Sequence, residues 1–326
     1  MVDRQTVQSA GGRTEERNLW EPYAQLVRSF LDLSGERRTL KVVIDASNGM
    51  AGTMVPMVFG KKCPLGPVSG LEIIEVNFDN AKGEFVHEPN PLVTANLAMV
   101  RERVIKEKAD VGFVYDGDAD RCVVIDETGT PVGCDHLTGV LAAYFLKKHG
   151  KGHGVVYDLR STKAVSEEIA RAGGIPIRSR VGHVFMKAVM ADKSCIFGGE
   201  HSGHFYFRDN WYADSGIIAA LTVIELLSRD RTTIADALKP IDRYVRSGEI
   251  NSEVRDQQTV LRRLEQHYAD AEIDHPDGLT VSYPDWWFNA RPSNTQPLLR
   301  LNVEATTRDL LDAKTHEVLA LIREDV

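Results

Sequence analysis

Three aspartates alternating with small residues, Asp116, Asp118 and Asp120 in the string DGDADR, offer the first chemistry in this chain. Carboxylates this close repel one another unless a cation neutralises them, and hard oxygen donors select Mg²⁺ or Ca²⁺ over softer metals. An EF-hand loop also begins D-x-D-x-D, and Glu127 stands where its closing acid would be. Its sixth position needs Gly, however, and here it is Arg121. The flanks VGFVY and CVVID also read as strands, not as the two helices of an EF-hand. A solvated acidic turn is the third alternative, because aspartates favour turns. A strand end in an α/β layer is where ligands bind, which favours the metal. Arg121 beside such a site suits a phosphate shared between guanidinium and metal. An ordinary salt bridge to the aspartates is the competing account.

Two further strings carry donors and acceptors. Gly198-Gly199-Glu200-His201-Ser202-Gly203-His204 combines glycines, which allow close backbone approach, with groups suited to sugar hydroxyls and proton movement. Each histidine alone reads better as a surface or capping residue; their clustering with Glu200 and the glycines favours a site. Upstream, Arg180-Val181-Gly182-His183 falls at a strand-to-helix junction, where free N–H groups attract anions or where a plain helix cap would sit. Arg291-Pro292-Ser293-Asn294-Thr295-Gln296-Pro297 sets a guanidinium, two hydroxyls and amides between prolines. All can donate to phosphate oxygens, although a Pro-rich turn has the same composition.

The elements that must position these strings alternate. Apolar spacing predicts a helix over Trp20 to Leu33, then a buried strand in LKVVIDASNGMAG followed by a polar turn and glycines. Strands are expected at Leu71 to Val76 and Val111 to Tyr115, with a helix over Leu92 to Lys108 between them. A second series has helices over Asp135 to Lys148, Lys163 to Ala172, His183 to Met190 and Asp214 to Leu227. Its strands are Gly154 to Asp158, Ile175 to Ser179 and Ser194 to Phe197. From about residue 243 ribbon-like stretches dominate, with helices near 256–269 and from Thr307. The fold class is α/β: two consecutive α/β mixed-sheet domains, 39–132 and 133–242, followed by a small α+β domain, 243–326.

The bulk properties bound the partners. The 326 residues suffice for two or three domains. A net charge of -8 disfavours nucleic acid but leaves room for a small anion in a locally positive cleft. No apolar run approaches the roughly 20 residues of a membrane span, and the polar head lacks a signal-peptide core. Cys63, Cys122, Cys134 and Cys195 form no C-x-x-C pair, which fits a reducing cytosol and a cytoplasmic location.

Together the strings resemble the α-D-phosphohexomutase family, in order from about Leu40. DGDADR resembles its metal loop, GGEHSGHFYF its sugar-recognition loop and RPSNTQP its C-terminal phosphate loop. DASNGMAG and EFVHEPNPL resemble its second domain, and YDLRST with RVGH its third. GEHSGH is closer to the phosphomannomutase/phosphoglucomutase branch than to the phosphoglucosamine branch, which has Gln between Glu and Ser. The resemblance implies transfer of phosphate between C1 and C6 of a hexose through a phosphoserine and a bisphosphorylated sugar. It implies Mg²⁺ on Asp116, Asp118 and Asp120, and a glucose 1,6-bisphosphate-type activator for the complete enzyme. Arg121, His183, His204 and Arg160 are its implied catalytic residues. Glu200, Ser202, Gly203 and Arg180 would bind the sugar phosphate, with Arg291, Ser293, Asn294 and Thr295 holding the phosphate that does not react. Three departures stand out. No T-A-S-H-N-P-like serine string occurs, so residues 1–38 are expected to be a linker helix after a missing N-terminal domain, and the chain as printed is expected to be inactive. Ser47 belongs to the second-domain motif and is not promoted to nucleophile. Arg160 replaces a common Lys, and Gln296 a common Glu. A non-catalytic protein that binds phosphosugar and metal is the alternative from another class, and phosphoglucosamine mutase the alternative within the same one.

Overall fold

The structure, a computed structural model, describes residues 12–32, 37–230, 232–293 and 297–324. Helix α1 (Trp20–Arg28) stops short of the expected Leu33, which lies outside the described residues. The first sheet contains β1 (Leu40–Asp45), β2 (Leu71–Val76), β3 (Val111–Tyr115) and β4 (Cys122–Ile125). Its order is β2-β1-β3-β4, with β1 parallel to β2 and β3, and β4 antiparallel to β3. The dense β-branched run of β1 is buried, as expected of a central parallel strand covered on both faces.

Helix α2 (Ala51–Val58) occupies the stretch read from the sequence as turn and glycines. Gly52 and Pro56 argue against a helix on propensity alone, yet Gly52 is needed for packing. A Cβ on Gly52 would come within 2.3 Å of the Phe78 carbonyl oxygen. The helix expected over Leu92 to Lys108 starts later, as a 3₁₀ turn at Thr94–Leu97 leading into α3 (Ala98–Glu107).

The second sheet repeats this plan. Helix α4 (Cys134–His149) leads to β5 (Gly154–Asp158), α5 (Lys163–Arg171), β6 (Ile175–Ser179) and α6 (His183–Asp192). Strands β7 (Phe197–Gly199) and β8 (Phe205–Phe207) then complete the order β6-β5-β7-β8, again with only the last pair antiparallel. Strand β7 begins three residues later than expected because Ser194 turns through left-handed backbone, φ 51. Helix α7 (Gly216–Asp230) is apolar on nearly every side, and its Ile217, Leu221, Val223 and Leu227 are fully buried. It packs on β4 and on α1, α2 and α4, fusing the two α/β domains through one continuous core.

After the short α8 (Ile234–Leu238), the C-terminal domain is a five-stranded antiparallel sheet. It comprises β9 (Val245–Glu253), β10 (Glu272–Asp274), β11 (Leu279–Ser282), β12 (Trp286–Pro292) and β13 (Leu298–Ala305), in the order β10-β11-β12-β13-β9. Helices α9 (Gln257–His267) and α10 (Arg308–Ile322) supply its separate core with Leu264, Leu311 and Val318.

Candidate active site

The acidic string is the tip of the β3–β4 hairpin. Ligand oxygens of Asp116, Asp118 and Asp120 lie within 4.8 Å of one another. Asp116 is buried and receives Arg121 Nε at 2.6 Å and the Arg121 amide at 3.2 Å. Burial first, and then the Asp116 charge, push the Asp120 carboxyl up to about 6. Three clustered hard donors that repel as anions fit a divalent cation such as Mg²⁺. Antiparallel strands flank the loop and Glu127 instead accepts from the Ala235 amide at 3.4 Å, so the EF-hand reading fails. Arg121 makes the plain salt bridge to Asp116.

Neighbouring turns hold this tip. The Ser47 hydroxyl donates to the Tyr115 carbonyl at 2.7 Å and is buried, which gives that serine a structural task. Gly49 lies against Gly117: a Cβ there would come within 2.4 Å of the Gly117 oxygen. The Met50 amide donates to that same oxygen at 2.8 Å.

The glycine and histidine string is the β7–β8 turn. Gly198 and Gly199 are strand residues, and their close approach is to the protein itself. A Cβ on Gly199 would sit 2.1 Å from the Thr138 hydroxyl, and one on Gly198 2.9 Å from the Met190 sulfur. This corrects the expectation that these glycines open the backbone to a ligand. The turn is sewn onto the metal loop: the Cys122 amide donates to the Gly203 carbonyl at 3.1 Å, and Arg121 and His204 form an antiparallel bridge. His204 Nδ1 consequently lies 2.9 Å from Asp214 Oδ2 and 3.7 Å from Asp120 Oδ1. Lys187 Nζ pairs with the other Asp214 oxygen at 2.8 Å. Burial opposes a charged His204, but the Asp214 hydrogen bond and the Asp120 charge outweigh it and raise its pKa. Burial would likewise raise Asp214, yet His204 and Lys187 hold it well below the usual carboxylate range.

Glu200 is buried with both oxygens engaged: the Gly182 amide donates to one at 2.8 Å and the Tyr206 hydroxyl to the other at 2.6 Å. It therefore joins the RVGH junction to the turn. Ser202 is half-buried, and Gly203 takes φ 91. Arg180 and His183 are exposed; the Arg180 guanidinium lies 4.3 Å over the Phe185 ring, and His183 opens α6. Arg160 is gripped by Asp158, with Nη2 to Oδ2 at 2.8 Å, and the same carboxylate accepts the His201 amide at 2.7 Å. Burial acts against the Arg160 charge, but Asp158 more than restores it. Arg160 keeps its proton and serves as a fixed cation.

On the C-terminal domain Arg291 and Ser293 are buried at the end of β12. Arg291 Nη2 meets Glu249 at 2.7 Å. Asn294, Thr295 and Gln296 lie outside the described residues. Burial and the charge of the neighbouring Arg160, on the second domain, lower the Arg291 pKa. Between the two domains lies a cavity of about 300 Å³ lined by Arg160, His201, Arg246, Trp287, Asn302 and Glu304. A larger cavity, about 480 Å³, lies beyond Trp287 and touches none of the expected site residues. Sequence reasoning missed Asp158, Tyr206, Asp214 and Arg246. Only Asp158, a carboxylate closing a strand, carried a local signal.

Comparison with known proteins agrees with this arrangement. Phosphoglucomutase/phosphomannomutase α/β/α domain II matches residues 21–129, α/β/α domain III matches 134–244, and the C-terminal domain matches 249–321. The chain belongs to the phosphoglucomutase/phosphomannomutase family. It is 35% identical over 322 residues to a phosphomannomutase of Salmonella typhimurium, covering 97% of this chain and 70% of that protein. A solved phosphoglucomutase/phosphomannomutase family protein from Burkholderia thailandensis superposes with TM-score 0.81 at 27% identity, over 96% of this chain and 66% of that one. An Aspergillus fumigatus N-acetylphosphoglucosamine mutase, solved in complex with GlcNAc-6P and magnesium, shares the fold with TM-score 0.68 at 17% identity, over 94% of this chain and 65% of that one. Among the described residues no helix is long and apolar enough to cross a membrane.

Proposed function

We propose that these residues form the metal-, sugar- and distal-phosphate-binding part of a hexose-phosphate mutase. The observation that carries the reading is the bridge between Arg121 and His204, which sets a histidine within 3.7 Å of an aspartate of the acidic cluster. Mg²⁺ held by Asp116, Asp118 and Asp120 would supply charge neutralisation for a transferring phosphoryl group. His204, anchored through Nδ1 by Asp214, leaves Nε2 to exchange a proton with the sugar hydroxyl that accepts the phosphoryl group. Arg121 and Arg160 supply fixed positive charge. Ser202 would accept from or donate to a sugar hydroxyl, and Glu200 could only accept, through lone pairs that Gly182 and Tyr206 leave. Arg180 and His183 meet the substrate at the start of α6. Arg291 and Ser293, with Asn294 and Thr295, grip the phosphate that does not react. No string like the family's phosphoserine loop occurs among these 326 residues, and by themselves they should turn over negligibly even with a trace of glucose 1,6-bisphosphate.

Calorimetric titration with glucose 1-phosphate, mannose 1-phosphate and free glucose tests the binding half. Both phosphosugars should bind, and glucose poorly. Losing a charge-assisted contact costs about 1.5–3 kcal/mol, so Arg291→Ala should weaken both phosphosugars by roughly tenfold to a hundredfold. Unchanged affinity in that variant would reduce RPSNTQP to a turn.

A further inference from the structure

We infer that Glu249 is a positioning residue for Arg291, an internal counter-anion that holds the guanidinium in place for an incoming hexose phosphate. This rests on the reading of Arg291 as the phosphate anchor and assigns a task to a residue outside every motif quoted above. Arg291 on β12 stands directly opposite Arg300 on β13. Like charges facing each other across an antiparallel pair are destabilising. Here the repulsion is poorly relieved by solvent, since Arg291 is only 8% exposed.

Glu249 on β9 answers both arginines. It lies across β13, in register with Asn302. One carboxylate oxygen accepts from Arg291 Nη2 at 2.7 Å, and the other lies 3.6 Å from Arg300 Nη1. Arg291 Nε is enclosed and has no hydrogen-bond partner among the described residues. A buried donor left unmet is costly, so the guanidinium depends the more on the contact that Glu249 makes with its Nη2. Arg160, whose charge bears on Arg291 from the second domain, is already matched by Asp158. Glu249 thus answers the Arg291–Arg300 repulsion from inside the sheet, while Arg291 keeps its charge for an anionic phosphate. Without Glu249, Arg291 would face Arg300 with no carboxylate between them and would swing away from its place at the end of β12.

The opposite role is also testable: Glu249 could compete with phosphate for Arg291. Glucose 1-phosphate is titrated calorimetrically into the 326-residue protein and its Glu249→Ala, Glu249→Gln and Arg291→Ala variants, with thermal melting alongside. Positioning predicts that Glu249→Ala weakens binding about tenfold. Glu249→Gln, which keeps an acceptor oxygen for Arg291 but removes the counter-charge, should fall between the unaltered protein and Glu249→Ala, about threefold weaker than the former. A merely structural glutamate would lower melting temperature and leave the dissociation constant of the folded protein unmoved. Should Glu249→Ala not fold, Glu249→Asp replaces it, because it keeps the charge but shortens the reach, and should weaken binding. Tighter binding on removal makes Glu249 a competitor, and unchanged binding makes it structural; either overturns the inference while Arg291→Ala still weakens. If Arg291→Ala binds normally, or the unaltered protein binds no glucose 1-phosphate, the reading of the phosphate loop falls, and the inference with it.

Discussion

Gly49→Ala should cripple metal binding although Gly49 offers no ligand. The added Cβ would meet the Gly117 oxygen at 2.4 Å and its carbonyl carbon and Cα at 2.9 Å. Ordinary contact needs roughly 3.5 Å, so about 1 Å must be found, and every opposing atom is backbone. Gly117 joins Asp116 to Asp118, and its oxygen holds the Met50 amide at 2.8 Å. Two outcomes are open to the molecule. If the loop stays, overpacking costs about 1–3 kcal/mol and the bent hydrogen bond about 1 kcal/mol more. If the loop moves, the carboxylates shift by several times the roughly 0.2 Å that metal–ligand distances tolerate. Affinity then falls at least tenfold, about 1.4 kcal/mol. Mg²⁺ titration by calorimetry, paired with thermal melting, separates these routes. A variant that matches the unaltered protein in both measurements would refute the claim that the DASNG turn braces the metal loop.

Asp118→Asn, at the exposed member of the cluster, should abolish measurable Mg²⁺ binding with little change in melting temperature; equal affinity in calorimetry would remove the aspartates as ligands. Tyr206→Phe takes away the hydroxyl that donates to buried Glu200 at 2.6 Å. Urea unfolding should show a loss of about 1.5–3 kcal/mol, the range for a bond to a charged group, with weaker phosphosugar binding. Asp135 gives a pH prediction. Burial raises its pKa, but hydrogen bonding from His136 and the Arg246 charge outweigh that and hold it well below the usual range. A depressed folded value stabilises above the unfolded pKa, about 3.9, and the contribution is lost as pH falls below it. The stability gap between the unaltered protein and Asp135→Asn should be constant from pH 8 to about 5 and narrow below about pH 4; a gap that widens in acid would contradict the pairing.

What the sequence disclosed followed from how local each signal was. Strands at Leu71–Val76, Val111–Tyr115, Gly154–Asp158 and Ile175–Ser179 fall where their apolar runs place them, because a short apolar strand is written in consecutive residues. Helix α2 was hidden because Gly52 and Pro56 are unfavourable on propensity, and the close approach of Phe78 that calls for Gly52 lies 26 residues away in the chain. The acidic string was legible for the same local reason: Arg121 at the sixth position and strand-like flanks already argued against an EF-hand, and the pairing of β3 with β4 agrees. His204 was legible as a residue but not as a member of the metal region. Its partners Asp214 and Asp120 meet it through a turn and a bridge between two domains.

The same contrast explains where this site is stiff. The first two domains share one core through α7, and the metal and sugar loops are hydrogen-bonded to each other. The C-terminal domain has its own core and meets the second domain mainly through polar contacts: Arg246 with Asp135, Arg243 with Glu168, and Glu304 with the Lys163 amide. Separate cores joined by polar contacts permit relative motion more readily than one shared apolar core does. A phosphate held by the C-terminal loop and a sugar held by the β7–β8 turn would therefore be brought together across the softer junction. The metal–histidine geometry on the rigid side would stay fixed while that junction adjusts. On the proposed mutase reading, such a division between a fixed reacting centre and an adjustable anchor would let one site take phosphate at either end of a hexose.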